Sequence, residues 1–147
     1  MRYVGIDADE ARRRLATIGT ELVPPDSDED EGAVVARVLP DSESAVRLEV
    51  ELDPPDEPDA GMGAWHVNGE TEAHTVRSGS GLVEFWTPSG PVAAVLEAGV
   101  VMVVRGGEHR YRPLTVQRWA IRHSGDPDAD LGPRVTGRPP TPWPEID

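Results

Sequence analysis

From about residue 33 onward, apolar and polar positions alternate with a period of two, and this sets the expected architecture. Between Ala45 and Leu52, the residues Val46, Leu48, Val50 and Leu52 alternate with Arg47, Glu49 and Glu51. Successive side chains on extended backbone point to opposite sides, so this stretch predicts a strand with one buried face. Further strand-like runs follow at short intervals: AVVARV (33–38), EAHTVR (72–77), LVEFWT (82–87), VAAVLE (92–97), VVMVV (100–104) and VQRWAIRH (116–123). Segments such as SGSG, TPSGP, EAG and RGGEH separate them, as tight turns between short strands require. Before them the period is helical. In DADEARRRLATIG (7–19), Asp7 is placed to cap with Glu10 three residues on, Ala11, Leu15 and Ile18 form an apolar stripe, and Gly19 is a natural stop. The pattern predicts one all-β domain over residues 1–147: a short N-terminal helix (7–19), a β-barrel (33–124) and a Pro-rich C-terminal tail (125–147) that Trp143 would pin to the body. There is no internal repeat.

Charge changes this picture by showing where the barrel is not. The formal net charge is −13, from 14 basic and 27 acidic side chains, and every basic residue is arginine. Much of the acid lies in two Pro-punctuated segments, PPDSDEDEG (24–32) and DPPDEPDAG (53–61), which read as solvated loops. Residues 62–123 are close to neutral, with Glu70, Glu72, Glu84, Glu97 and Glu108 against Arg77, Arg105, Arg110, Arg112, Arg118 and Arg122. The overall sign argues against binding nucleic acid or an anionic membrane. The absence of lysine excludes Schiff-base, covalent pyridoxal phosphate and phosphate-loop lysine chemistry. The absence of cysteine excludes a thiolate nucleophile, disulfides and Cys-bound metal, leaving His, carboxylate and amide groups as metal donors. The opening MRYVGIDADEARRR lacks the apolar run of a signal peptide, so a soluble cytoplasmic protein is expected.

The four histidines, His66, His74, His109 and His123, supply the candidate chemistry. In WHVNGETEAH (65–74), His66, Asn68, Glu72 and His74 share parity, with Gly69 allowing a turn between the pairs. A barrel that brings GGEHRY (106–111) beside this stretch gathers His66, Glu72 and His109 at one point. Two imidazoles and one carboxylate on one face are what a non-haem Fe(II) site requires, because they leave adjacent positions open for a chelating substrate and O2. Asn68 would add a weaker amide-oxygen contact, and His74 is the candidate general acid or base. His123 reads as a wall histidine, and Arg118 and Arg122 as outer-surface partners of the abundant carboxylates. Trp65, Phe85, Trp86, Tyr111 and Trp119 are expected to pack the barrel, and those on inward positions to shape an apolar pocket.

The segment His66-x-Asn68-x-x-x-Glu72, followed by six residues and Gly79, resembles the first motif of the cupin superfamily, H-x-H-x(3)-E-x(6)-G. GVVMVVRGGEH (99–109) is similar to the second motif, with Arg105 where that motif usually has Pro. Within the superfamily the chain resembles the acireductone dioxygenases, through HVNGETEAH before Gly79-Ser80-Gly81, the early helix ADEARRRLATIG and a late Ala120-Ile121-Arg122. Two departures fall in the site itself. Asn68 stands where the family has its second metal histidine, and His74 stands where it has an arginine. The resemblance implies a double-stranded β-helix holding a divalent transition metal through His66, Asn68, Glu72 and His109, with Fe(II) first and Ni(II), Mn(II) or Zn(II) as alternatives. The expected function is a metal-dependent cupin enzyme acting on a small oxygen-chelating substrate of enediol or hydroxyketone type, by dioxygenase-like chemistry or Lewis-acid isomerisation or cyclisation. The alternative is a metal-free cupin that binds a small molecule, as a sensor or a biosynthetic accessory protein. The expected partners are a small-molecule substrate and, edge to edge, a second copy of the chain.

Overall fold

Asp7 opens the first helix, α1 (Ala8–Ala16), by accepting the backbone N–H groups of Asp9 (3.1 Å) and Glu10 (3.2 Å), two of the donors that a helix start leaves open. Ala11 and Leu15 turn inward from it, as the stripe predicts, but the helix ends at Ala16 and residues 17–19 form a turn. The computed structural model describes residues 1–39, 46–123 and 134–146. In chain order the strands are β1 (Arg2–Tyr3), β2 (Glu21–Val23), β3 (Val46–Leu52), β4 (His66–Val67), β5 (Glu72–Ser78), β6 (Gly81–Thr87), β7 (Gly90–Leu96), β8 (Val101–Val104), β9 (His109–Pro113), β10 (Gln117–His123) and β11 (Arg134–Val135). A second helix, α2 (Glu31–Val38), lies between β2 and β3, and a short 3-10 turn (Gly61–Gly63) precedes β4.

The strands form two antiparallel sheets, ordered β1-β7-β6-β9-β4-β11 and β2-β8-β5-β10-β3. The β-rich domain expected from the alternation is therefore present, with its strands paired into two sheets. Between them lies the main core, built from Val83, Phe85, Leu96 and Tyr111 on one side and Val76, Met102, Val104 and Trp119 on the other. Each sheet is also covered outside. Helix α2 packs Val34, Val35 and Val38 on Ala73, Val101 and Val103, while Trp143 and Ile146 pack on Leu82, Ala93 and Val95. Strands buried on both faces read as near-continuous apolar runs, which explains VVMVV and VAAVL.

The expected strand at 33–38 is corrected to the body of α2. Asp30 caps this helix by accepting Ala33 N–H at 2.8 Å, and the buried residues Val34, Val35 and Val38 follow helical spacing. The valine run imitated a strand because β-branched residues favour extended backbone only weakly, and a cap with an apolar face to bury outweighs them. The first acidic segment is also more than a solvated loop. Glu29 and Glu21 receive Arg37, and Glu31 receives Arg77 at 2.6 Å and 3.0 Å, tying α2 to β5 and the turn before it to β2. In β3, an edge strand, the predicted buried face is only partly buried: Val50 and Leu52 lean on the core but Leu48 is exposed. The expected C-terminal tail falls partly on residues 125–133 and 147, which lie outside the described residues; within 134–146, Trp143 does pin the chain, donating from Nε1 to Asp59 at 2.9 Å. Arg118 pairs with Glu51 at 2.9 Å on the outer surface, as expected. Among the described residues no helix is long and apolar enough to cross a membrane.

Two positions test this packing. Gly79 turns β5 into β6 with φ +76°, and a Cβ there would lie 2.2 Å from the Val116 carbonyl oxygen. Gly79→Ala therefore combines left-handed strain with a backbone clash and should cost about 2–3 kcal/mol in denaturant unfolding. Arg110 is fully buried and bonds Glu84 at 2.7 Å. Removing one partner strands the other charge, so Arg110→Ala should destabilise by about 3–5 kcal/mol, and the double variant with Glu84→Leu should recover part of that loss.

Candidate metal centre

Strands β4 and β9 meet in register at one pair, His66 opposite His109, and this sets two imidazoles side by side with centroids 4.4 Å apart and planes tilted by 57°. Both are buried, at 4% and 3% exposure. Each ring is anchored in the same way two residues upstream: His66 Nδ1–H donates to the Ala64 carbonyl and His109 Nδ1–H to the Gly107 carbonyl, both at 2.8 Å. A carbonyl only accepts, so Nδ1 carries the proton in each ring and Nε2 of the neutral ring keeps its lone pair. Burial pushes the His66 pKa below the ordinary histidine value. It lowers that of His109 further, to about 3, with the neighbouring His66 adding to the effect. Both rings are thus neutral near pH 7 and able to donate a nitrogen to an ion.

The loop before His109 is shaped for this anchor. Gly106 takes φ +103°, and a Cβ on Gly107 would meet the Ile18 side chain at 2.9 Å. The RGGEH glycines therefore admit the chain leaving α1 against the loop that orients His109. Arg105, at the usual proline position of the motif, donates from Nη1 to the Gly19 carbonyl at 3.1 Å and so ties the same two segments together. A cavity of about 360 Å³ beside this junction is lined by Tyr3, Arg12, Leu15, Thr20 and Arg105, and none of the four histidines borders it.

From the facing sheet, β5 contributes Glu72 and His74, two residues apart on one face and both buried. Glu72 Oε2 accepts His74 Nε2–H at 3.1 Å and also the side-chain amide of Asn68. The His74 ring stands edge-on to Trp119 at 5.4 Å, and Trp119 meets Tyr111 of β9 at 4.5 Å. His66, His109, Glu72 and His74 thus all face the space between the sheets, and Asn68 lies half-buried at its margin. Among the described residues, no three His, Asp or Glu side chains converge closely enough to enclose an ion as they stand. The donor chemistry nevertheless suits a divalent transition metal, since two neutral, anchored imidazoles and a buried carboxylate share one interior.

His123 is a buried wall residue on β10 opposite Glu72, as expected. Trp65 and Trp86 do not line the interior; they pack with each other at 6.0 Å, under the guanidinium groups of Arg110 and Arg138 respectively. Sequence reasoning missed the supports behind the histidine pair. Strand β11 pairs with β4, setting Val135 opposite His66. Arg138 bonds Glu108 at 2.8 Å, and Arg110 lies 3.9 Å from the Trp143 ring. Only the β4–β11 and β6–β9 pairings make these contacts visible, although the charged residues Glu108 and Arg110 on either side of His109 were a clue.

No family model matches the chain, and no curated protein is similar to it in sequence. In structure it is similar to acireductone dioxygenase from Bacillus anthracis, solved with a cadmium ion in its active centre, at 16% identity and a TM-score of 0.56, over 86% of this chain and 89% of that one. Hydroxypropylphosphonic acid epoxidase from S. wedmorenis, solved with fosfomycin, matches at 16% identity with a TM-score of 0.42, over 81% of this chain and 76% of that one. The first likeness shows the fold: two facing antiparallel sheets of the cupin type, as the motif resemblance implied.

The buried histidines make the metal-free protein acid-sensitive. Their folded pKa values lie below the ordinary histidine value, so between that value and about 3 the unfolded chain binds more protons than the fold. Stability should be complete above about pH 6.5 and fall as pH is lowered, with a slope approaching about 1.4 kcal/mol per pH unit for each such group. Chemical denaturation between pH 7 and 4 measures it, and His109→Asn should flatten the profile.

Proposed function

We propose that this chain is a metal-dependent cupin enzyme acting on a small oxygen-chelating substrate, with His66, Glu72 and His109 as the core of its metal site. The observation that carries this reading is the anchored imidazole pair, whose Nδ1–H groups are held by the Ala64 and Gly107 carbonyls and whose Nε2 lone pairs remain available in a buried interior. A divalent transition metal bound there, Fe(II) first and Ni(II), Mn(II) or Zn(II) as alternatives, would polarise two adjacent substrate oxygens and, for a redox-active ion, support O2 chemistry.

The chain's own residues do the remaining work. The two carbonyl anchors fix ring orientation before any ligand arrives, so the imidazoles need little ordering on binding. Glu72 would join the pair in holding an ion by turning its carboxyl group out of the Asn68 and His74 hydrogen bonds. Phe85, stacked near His109 at 5.7 Å, and Trp119, beside His74, exclude water and present apolar walls to the carbon skeleton of a substrate. An enediol or hydroxyketone fits this arrangement, since it offers two oxygens to an ion and little else that needs a polar partner.

A second reading, a metal-free small-molecule-binding cupin, is favoured by the bonds that hold the Glu72 carboxylate as it stands. Anaerobic titration of the metal-stripped protein with Fe(II), Ni(II), Mn(II) and Zn(II) separates the two. The wild type should bind one ion per chain, and His66→Ala and His109→Ala should each weaken binding by more than about 100-fold. Wild-type binding no tighter than that of the variants would reject the metal enzyme in favour of the binding protein.

A further inference from the structure

We propose that the cavity at the seam between β1, α1 and β2 is a second binding site, which takes a small carboxylic acid with an apolar chain and holds its carboxylate between Arg12 and Arg105. The site is separate from the histidine pair, and the proposal stands whether or not an ion binds there.

Strands β1 and β2 are edge strands, one in each sheet, and α1 packs on both sheets through β2, β6 and β7. The cavity lies where these elements meet: Tyr3 comes from β1, Leu15 from α1, Leu22 from β2, and Arg105 follows β8. Its volume of about 360 Å³ suits a small molecule. Leu15 and Leu22 are buried and give it an apolar floor, whereas Arg12 and Arg105 are exposed enough to stand at its rim.

The polar groups of this lining are donors with capacity to spare. Arg12 gives one bond, from Nη1 to Asp9 at 3.1 Å. Arg105 gives Nη1 to the Gly19 carbonyl and meets a carboxylate only at 3.5 Å, that of Glu21. Glu21, the carboxylate of the lining, is already held by Arg37 through two bonds, at 3.0 Å and 2.9 Å. Away from the cavity, Arg77 likewise gives two nitrogens to Glu31. A guanidinium has five N–H donors, so most of those on Arg12 and Arg105 have no protein acceptor among the described residues. On the same lining, Tyr3 Oη and Thr20 Oγ1 are buried and, among the described residues, have no hydrogen-bond partner. Burial raises the Tyr3 pKa against the opposing charge of Arg12, so the phenol is a protonated donor near pH 7. An excess of donors selects an anion, and the planar guanidinium fork matches a carboxylate. The leucine floor selects an acid with a hydrocarbon body.

The test uses sodium octanoate on the full chain, with octanol and inorganic phosphate as comparison ligands and a chelator present so that no ion in the interior captures the acid. The chain has two tyrosines, Tyr3 and Tyr111, so fluorotyrosine labelling gives two fluorine NMR signals, assigned with Tyr3→Phe. Octanoate should shift the Tyr3 signal, leave that of Tyr111 in place and bind with a Kd below about 1 mM. Octanol and phosphate should each bind at least about tenfold more weakly, since each lacks one half of the recognition. Arg12→Gln and Arg105→Gln should each weaken octanoate binding by about fivefold or more. Ala16→Trp, at an exposed position of the lining, should abolish it by filling the cavity, whereas Arg13→Gln, outside the lining, should bind as the wild type does. Octanol as tight as octanoate would reduce the cavity to an apolar void, and phosphate as tight would make it a general anion site; either overturns the proposal. So would a Kd weaker than that bound, a shift at Tyr111 alone, or octanoate binding undiminished in the Arg12→Gln, Arg105→Gln double variant. The three-ligand comparison on the wild type needs no variant to fold.

Discussion

Everything around the candidate site follows from one constraint: polar side chains that face the space between two apolar sheets must be satisfied from within. Water cannot supply the hydrogen bonds of rings that are 3% and 4% exposed, and a buried donor without an acceptor costs on the order of 1–3 kcal/mol. The Ala64 and Gly107 carbonyls meet that demand for His66 and His109. In doing so they fix more than stability. They select the tautomer and hold the ring planes, while burial keeps both rings neutral, and these are the properties an imidazole needs before it can hold an ion.

Neither histidine strand could enforce this alone. Strand β4 is two residues long, and an isolated strand of that length has no stability of its own. It is held because it lies between β9 and β11, so that His66 has a paired neighbour on each side. The flanking loop is held as well. Glu108, next to His109, receives Arg138, and Arg105 reaches back to Gly19. The described part of the C-terminal segment is therefore a structural part of the site, pairing with one histidine strand and covering the arginine that follows the other histidine.

How much of this was legible in the sequence varied with the range of the interaction. The helix from Asp7, the strands at 46–52, 72–78 and 81–87, and the shared parity of Glu72 and His74 follow from local period and caps, and all are present. The strand expected at 33–38 failed because three valines carry both a β propensity and a helical spacing, and only the surface they bury decides between them. Leu48 illustrates the same limit in reverse, since alternation cannot tell an edge strand from a central one. At the site, residue types were legible but bonding was not. That Arg110 lies beneath Trp143 depends on pairing and burial of residues far apart in sequence.

The two carboxylates buried in the sheets show how differently the fold treats a structural charge and a functional one. Glu84 lies on the outer side of its sheet and is matched by a full guanidinium, with Arg110 bonding it at 2.7 Å and 2.9 Å. Glu72, in the interior, is met by an amide and an imidazole, and among the described residues no arginine pairs with it. The chain is rich in arginine and places none at this point, although Glu21, Glu31, Glu51, Glu84 and Glu108 each receive one. A buried carboxylate bound by hydrogen bonds but lacking a permanent cation has the most to gain from a divalent ion, because its desolvation is only partly offset. At the periphery, Glu10, Glu21, Glu29 and Glu31 are met by arginines, and Asp7 and Asp30 cap helices. Among the described residues, Glu72 is the buried carboxylate without an arginine, and it lies in the same interior as the imidazole pair.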